Sequence, residues 1–114
     1  MTTGMRRGPL VLAVTAMLSA ACPLDDISAP AEGTVFVQMR DSFFQPQTVT
    51  VPRGRSVRWT NDGAMVHSVV SDSGLFHSDL MSPTRWFDVR FDNLGTFAYH
   101  CSRHGGMTGQ LTVQ

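Results

Sequence analysis

Residues 99–107 read YHCSRHGGM. On either side the chain turns to strand-forming types, with TFA before and TGQLTVQ after. The stretch therefore reads as the end of one strand, a tight loop and the entry to the next. Cys101, His104 and Met107 stand three residues apart within it. A single strand cannot aim such a series at one point, because its side chains alternate between two faces. A tight loop can, and Gly105 and Gly106 give the backbone the freedom for one. His100 is different: on a strand it points opposite to Tyr99 and Cys101.

Outward from the loop the pattern is of period two. TVFVQMR (34–40), QTVTV (47–51), RSVRWT (55–60), MVHSVVS (65–71), RWFDVRF (85–91), TFAYHC (96–101) and GQLTVQ (109–114) each read as a strand. Turn residues such as PRG, NDG, SDSG and NLG bound them. No window carries a helical stripe. Short strands at this spacing predict an all-β sandwich or barrel of about 7–8 strands. Phe36, Trp59, Trp86 and Phe97 are the expected core aromatics. SGLFHSDLMSPT (73–84) is the longest connection.

The N-terminus does not belong to this pattern. Arg6 and Arg7 precede an apolar run, Gly8 to Ala21, that is too short to span a bilayer comfortably and suits a signal-peptide core. Ser19, Ala20 and Ala21 then lead into Cys22, as in a bacterial lipoprotein signal whose cysteine becomes a lipidated N-terminus. The predicted organisation is a signal peptide over 1–21, a flexible tether over 22–33 and one domain over 34–114. The chain would then be exported to the periplasm or cell surface and held to a membrane through Cys22. Its nine basic residues, all arginine, balance nine acidic ones. No basic tract appears, so nucleic acid is not an expected partner.

The loop offers a thiolate, an imidazole and a thioether. Such soft and borderline donors suit copper, whereas hard cations want oxygen. A further donor should come from a distant strand, and His67, among Val66, Val69 and Val70, is the best candidate. Two imidazoles, one thiolate and a weak axial methionine make the blue-copper arrangement. A disulfide would need Cys22, the only other cysteine, which the lipoprotein reading already uses. Met65 and Met81 are soft residues that could pack near the site or simply fill core.

With these residues in place, the chain resembles the small blue copper proteins, the cupredoxins of the plastocyanin, pseudoazurin and amicyanin group. FQPQTVTVPRGRSVRWTND resembles the family's early strands, His67-Ser68-Val69 its first ligand segment, and FAYHCSRHGGMTGQLTVQ its ligand loop and last strand. The resemblance covers residues 34–114, and the ligand spacing is like the short loop of amicyanin. It implies an antiparallel Greek-key sandwich of about eight strands. It also implies one type 1 copper per chain on His67, Cys101, His104 and Met107, with Ser68 helping to orient the Cys101 sulfur. The residue before the loop histidine, often proline in the family, is Arg103 here.

The expected function is one-electron transfer between Cu(II) and Cu(I), not catalysis, with redox proteins docking near His104. Two other classes are open. One is a copper storage or delivery protein. The other is a small copper enzyme with a second copper at His100, helped by His77.

Overall fold

The first strand, β1 (Val35–Arg40), sets the rule for the others: Val37 and Met39 are buried while Phe36, between Val35 and Val37, is exposed. The same alternation recurs in β3 (Thr48–Val51), β6 (Trp86–Phe91) and β8 (Thr108–Val113). Branched and aromatic residues on the inward positions fit a pleated, half-buried surface. In the computed structural model, which describes residues 29–114, the remaining strands are β2 (Phe43–Gln45), β4 (Arg55–Asn61), β5 (Val70–Ser71) and β7 (Gly95–His100). The expected signal peptide, the first part of the tether and Cys22 lie outside the described residues. At the other end of the tether, Thr34 N donates to Ala31 O (3.1 Å) and the Arg55 guanidinium to Glu32 O (3.0 Å).

Two four-stranded sheets face each other, in the orders β2-β1-β4-β6 and β3-β8-β7-β5. The all-β sandwich matches the expectation from sequence. Its sheets are mixed rather than purely antiparallel: β1 runs parallel to β4, and β3 parallel to β8. The cause is the path of the chain. After the β1–β2 hairpin it crosses to the second sheet as β3 and returns as β4. A crossing through the opposite sheet supplies the long connection that parallel neighbours need, without a helix.

Between the sheets Trp59 is fully buried, stacked on Phe76 at 5.7 Å and edge-on to Tyr99 at 5.3 Å. Phe44 meets Tyr99 at 4.8 Å from the β2 side. Burial pushes the Tyr99 phenol above its ordinary range. Two of the expected core aromatics lie outside this centre. Phe36 is 54% exposed, because Val35, Val37 and Met39 own the inner face of β1. Trp86 is 41% exposed and serves the outer face of its sheet, where the Arg58 guanidinium lies 3.8 Å from its ring centroid and forms a two-point ion pair with Asp88 (2.8 and 2.9 Å). Phe97 packs against the core from its edge.

The stretch 65–71 is not the continuous strand its pattern suggests; only Val70 and Ser71 form β5. Residues 73–84 take up the slack by folding back on it. His67 and Met81 exchange backbone hydrogen bonds (3.1 and 2.8 Å), Ser78 N donates to Val69 O (2.8 Å) and Ser71 N to Phe76 O (2.9 Å).

Candidate metal centre

β7 ends at His100 and β8 begins at Thr108, and the hairpin between them closes on itself. Cys101 N donates to Met107 O (2.9 Å), and Met107 N to His104 O (3.2 Å). Gly106, at φ 83°, occupies the left-handed conformation that the turn demands. This local geometry leaves Cys101 and Met107 buried and His104 half-buried, with Arg103, Gly105 and Gly106 exposed around it.

His67 comes to the same point from the other side of the sandwich mouth. Its Nδ1 lies 3.9 Å from Cys101 Sγ, and the Nδ1 of His104 lies 3.6 Å from the same sulfur. The two imidazole centroids are 4.8 Å apart. Nitrogen and sulfur donors bind a first-row metal at about 2.0–2.3 Å, which in a trigonal or tetrahedral set separates them by roughly 3.5–3.7 Å. The observed spacing fits one ion. Among the described residues, His67, Cys101 and His104 are the one group of histidine, cysteine or carboxylate donors gathered in this way. With the buried thioether of Met107 in the same loop, the donor set fits a type 1 copper site.

What surrounds these donors was only partly visible in the chain. The sulfur accepts the backbone N–H of Ser68 at 3.4 Å, whereas the Ser68 hydroxyl is 4.0 Å away. That hydroxyl is instead 2.7 Å from Ser102 Oγ and accepts Ser102 N–H at 2.9 Å. So Ser68 approaches the sulfur chiefly through its main chain, and its side chain ties the two donor segments together. Asn61 holds the approach to His67: Nδ2 donates to Met65 O and Met81 O (2.8 and 2.9 Å), and Oδ1 accepts Gly63 N–H (2.9 Å). Met81 packs in the core and bridges His67 by its backbone, while Met65 is 49% exposed.

The residue that the sequence did not reveal is Asp41, in the β1–β2 turn. Its carboxylate accepts the N–H groups of Ala64 and Met65, each at 3.0 Å, and lies 2.9 Å from His67 Nε2. These bonds, that from Ala64 first and then that from His67, hold its carboxyl below the ordinary range.

His100 takes no part. It faces outward, with Nδ1 2.6 Å from Asp72 Oδ1. His77 is exposed, and both histidines pair with Val70, one from each side of β5. Among the described residues no group of three histidine, cysteine or carboxylate donors gathers at His100 and His77. Cys101 is a free, buried thiol.

A family model described as a cupredoxin-like domain matches residues 9–113. The chain belongs to the cupredoxin-like family. It is similar to a plastocyanin of Scenedesmus fuscus, 34% identical over 84 residues, which make up 62% of this chain and 86% of that one. It is also similar to amicyanin-alpha of Methylorubrum extorquens, 30% identical over 105 residues, or 88% of this chain and 87% of the relative. Among solved structures, a purple cupredoxin from Nitrosopumilus maritimus superposes with a TM-score of 0.66 at 26% identity, over 70% of this chain and 99% of that one. The cupredoxin frame explains why the donors lie where they do: one loop joins two neighbouring strands, β7 and β8, and the fourth donor arrives after β4 from the facing sheet.

Proposed function

We propose that this cupredoxin carries single electrons and that His67, Cys101, His104 and Met107 hold its copper ion. The observation that supports it best is a closed donor set, with His67 at 0%, Cys101 at 4% and Met107 at 1% exposure and only His104 reaching the surface. Bound copper supplies a Cu(II)/Cu(I) couple. The residues of the chain do the rest. The β7–β8 hairpin and the bridge to Met81 fix the donors before the metal arrives, so that the site changes little between oxidation states. The Ser68 N–H draws charge from the thiolate and tunes the potential. His104 is the exit for the electron, and the exposed Gly105 and Gly106 beside it let a redox protein approach closely. A storage or delivery site would instead expose its donors for exchange.

The domain works outside the cytoplasm, tethered through a lipid on Cys22. The motif at residues 6–22 supports this, and Cys22→Ser should release the protein from the membrane fraction; continued membrane association defeats the anchor. For the site, one equivalent of Cu(II) added to the purified domain should give an intense visible thiolate-to-copper band and a narrow copper hyperfine splitting. A pale spectrum, or a second tightly bound equivalent, defeats the carrier reading. His104→Gly should slow electron exchange with a soluble redox protein while the fold persists, and wild-type rates would remove His104 from the path.

A further inference from the structure

We propose that Asp41 is a positioning residue for the copper site, holding the His67 ring so that Nδ1 faces the metal and making that ring a stronger donor. The proposal rests on the copper reading above. The geometry stands on three donors that converge on one carboxylate: Ala64 N–H, Met65 N–H and His67 Nε2, at 3.0, 3.0 and 2.9 Å. An aspartate at neutral pH can only accept hydrogen bonds, so the ring must place its hydrogen on Nε2. The lone pair is thereby left on Nδ1, the atom 3.9 Å from Cys101 Sγ. His67 is fully buried, and among the described residues Asp41 is the partner of its Nε2. The two backbone donors matter as much as the ring. They fasten Asp41 to the segment that leads into His67, so the carboxylate aims the ring and anchors its backbone together.

Gly63 completes the arrangement. A Cβ on this residue would run into the Asp41 carboxylate and stand 3.1 Å from His67 Nε2. The position must stay bare for the carboxylate–imidazole contact to form.

A carboxylate bonded to a metal-bound imidazole raises its basicity, and losing such a partner typically weakens metal affinity by about 10–100-fold. The stronger donor favours Cu(II) over Cu(I). Asp41 should therefore hold the potential down. If only the Cu(II) affinity falls, a tenfold loss corresponds to a rise of about 59 mV in this one-electron couple.

The test uses the metal-free and the copper-loaded protein, with Asp41→Asn, Asp41→Ala and Gly63→Ala variants. In the metal-free wild type, nitrogen-resolved NMR should show a protected, downfield His67 Nε2–H signal. Asp41→Ala should abolish it, or fail to fold. Asp41→Asn keeps a carbonyl oxygen for the backbone donors and should fold; its Cu(II) affinity should drop about 10–100-fold and its potential rise. Gly63→Ala leaves the charge present but displaces the contact, and should shift the potential in the same direction. A folded Asp41→Asn protein with wild-type affinity and potential overturns the proposal, and so does a wild-type His67 ring hydrogen that exchanges freely. If the wild type gives no thiolate-to-copper band, the copper assignment fails, and the metal-free signal alone decides whether Asp41 holds His67.

Discussion

Residues 101–107 close on themselves, whereas the segment that carries His67 is held almost entirely from outside. The loop is pinned by its own bonds, Cys101 N to Met107 O and Met107 N to His104 O, and by the strands it joins. Residues 61–69 are closed internally only by the Asn61 side chain, through Met65 O and Gly63 N–H. Asp41 in the β1–β2 turn and Met81 and Ser78 in the 73–84 connection hold them from two other parts of the chain. One site is thus assembled from a preformed clip and a suspended platform. The metal donors of the clip can be exchanged at the cost of the site alone. The platform is shared with the sandwich, so damage to it should reach both the site and the stability of the fold.

The sharpest division comes from the clip. Cys101→Ser should remove the visible band altogether yet leave the metal-free domain folded, with a melting temperature near wild type; a persisting band would break the assignment of the sulfur. On the platform, Asn61→Ala removes the amide that bridges Met65 O and Met81 O and accepts Gly63 N–H, leaving Met81 O only the His67 N–H. It should cost about 1–3 kcal/mol, enough to lower the melting temperature by roughly 10 °C, and should weaken copper binding as well. Thermal unfolding with and without copper measures both, and an effect confined to the site would erase the distinction. Gly106→Ala meets no neighbour, since nothing lies within 4 Å of the added Cβ. Its cost, about 1–2 kcal/mol, is that of an L-residue in a left-handed turn. Denaturant titration should find that loss, with the band shifted through the altered loop. The smallest effect belongs to Ser68→Ala, which unties Ser68 from Ser102 but keeps the backbone N–H on the sulfur. About 0.5–1 kcal/mol and a slight band shift are expected; a large spectral change would mean that the hydroxyl, not the main chain, controls the thiolate.

The same contrast decides what could be read from the chain. Cys101, His104 and Met107 are local, so spacing and two glycines suffice to find them. The strands announce themselves where alternation is sustained, as in β1, β6 and β8. β2 does not, because three residues carry too short a pattern. The stretch 65–71 imitates a strand in composition, but its partner is an irregular run, 76–81, whose pairing leaves no periodic trace. Phe36 and Trp86 look like core by residue type, although strand parity puts Phe36 outside, and Trp86 finds its partner in Arg58. Asp41 lies 26 residues from His67 in a turn where aspartate is commonplace. Only the fold reveals that this one faces a buried imidazole.

β8 follows the loop in the chain and yet is an inner strand, seated between β3 and β7. A chain that emerges N-terminus first has His67 long before it has the strand that closes the hairpin around Cys101. Met107, which leads into that strand, accepts the Cys101 N–H, so the element that completes the sheet also closes the turn around the sulfur.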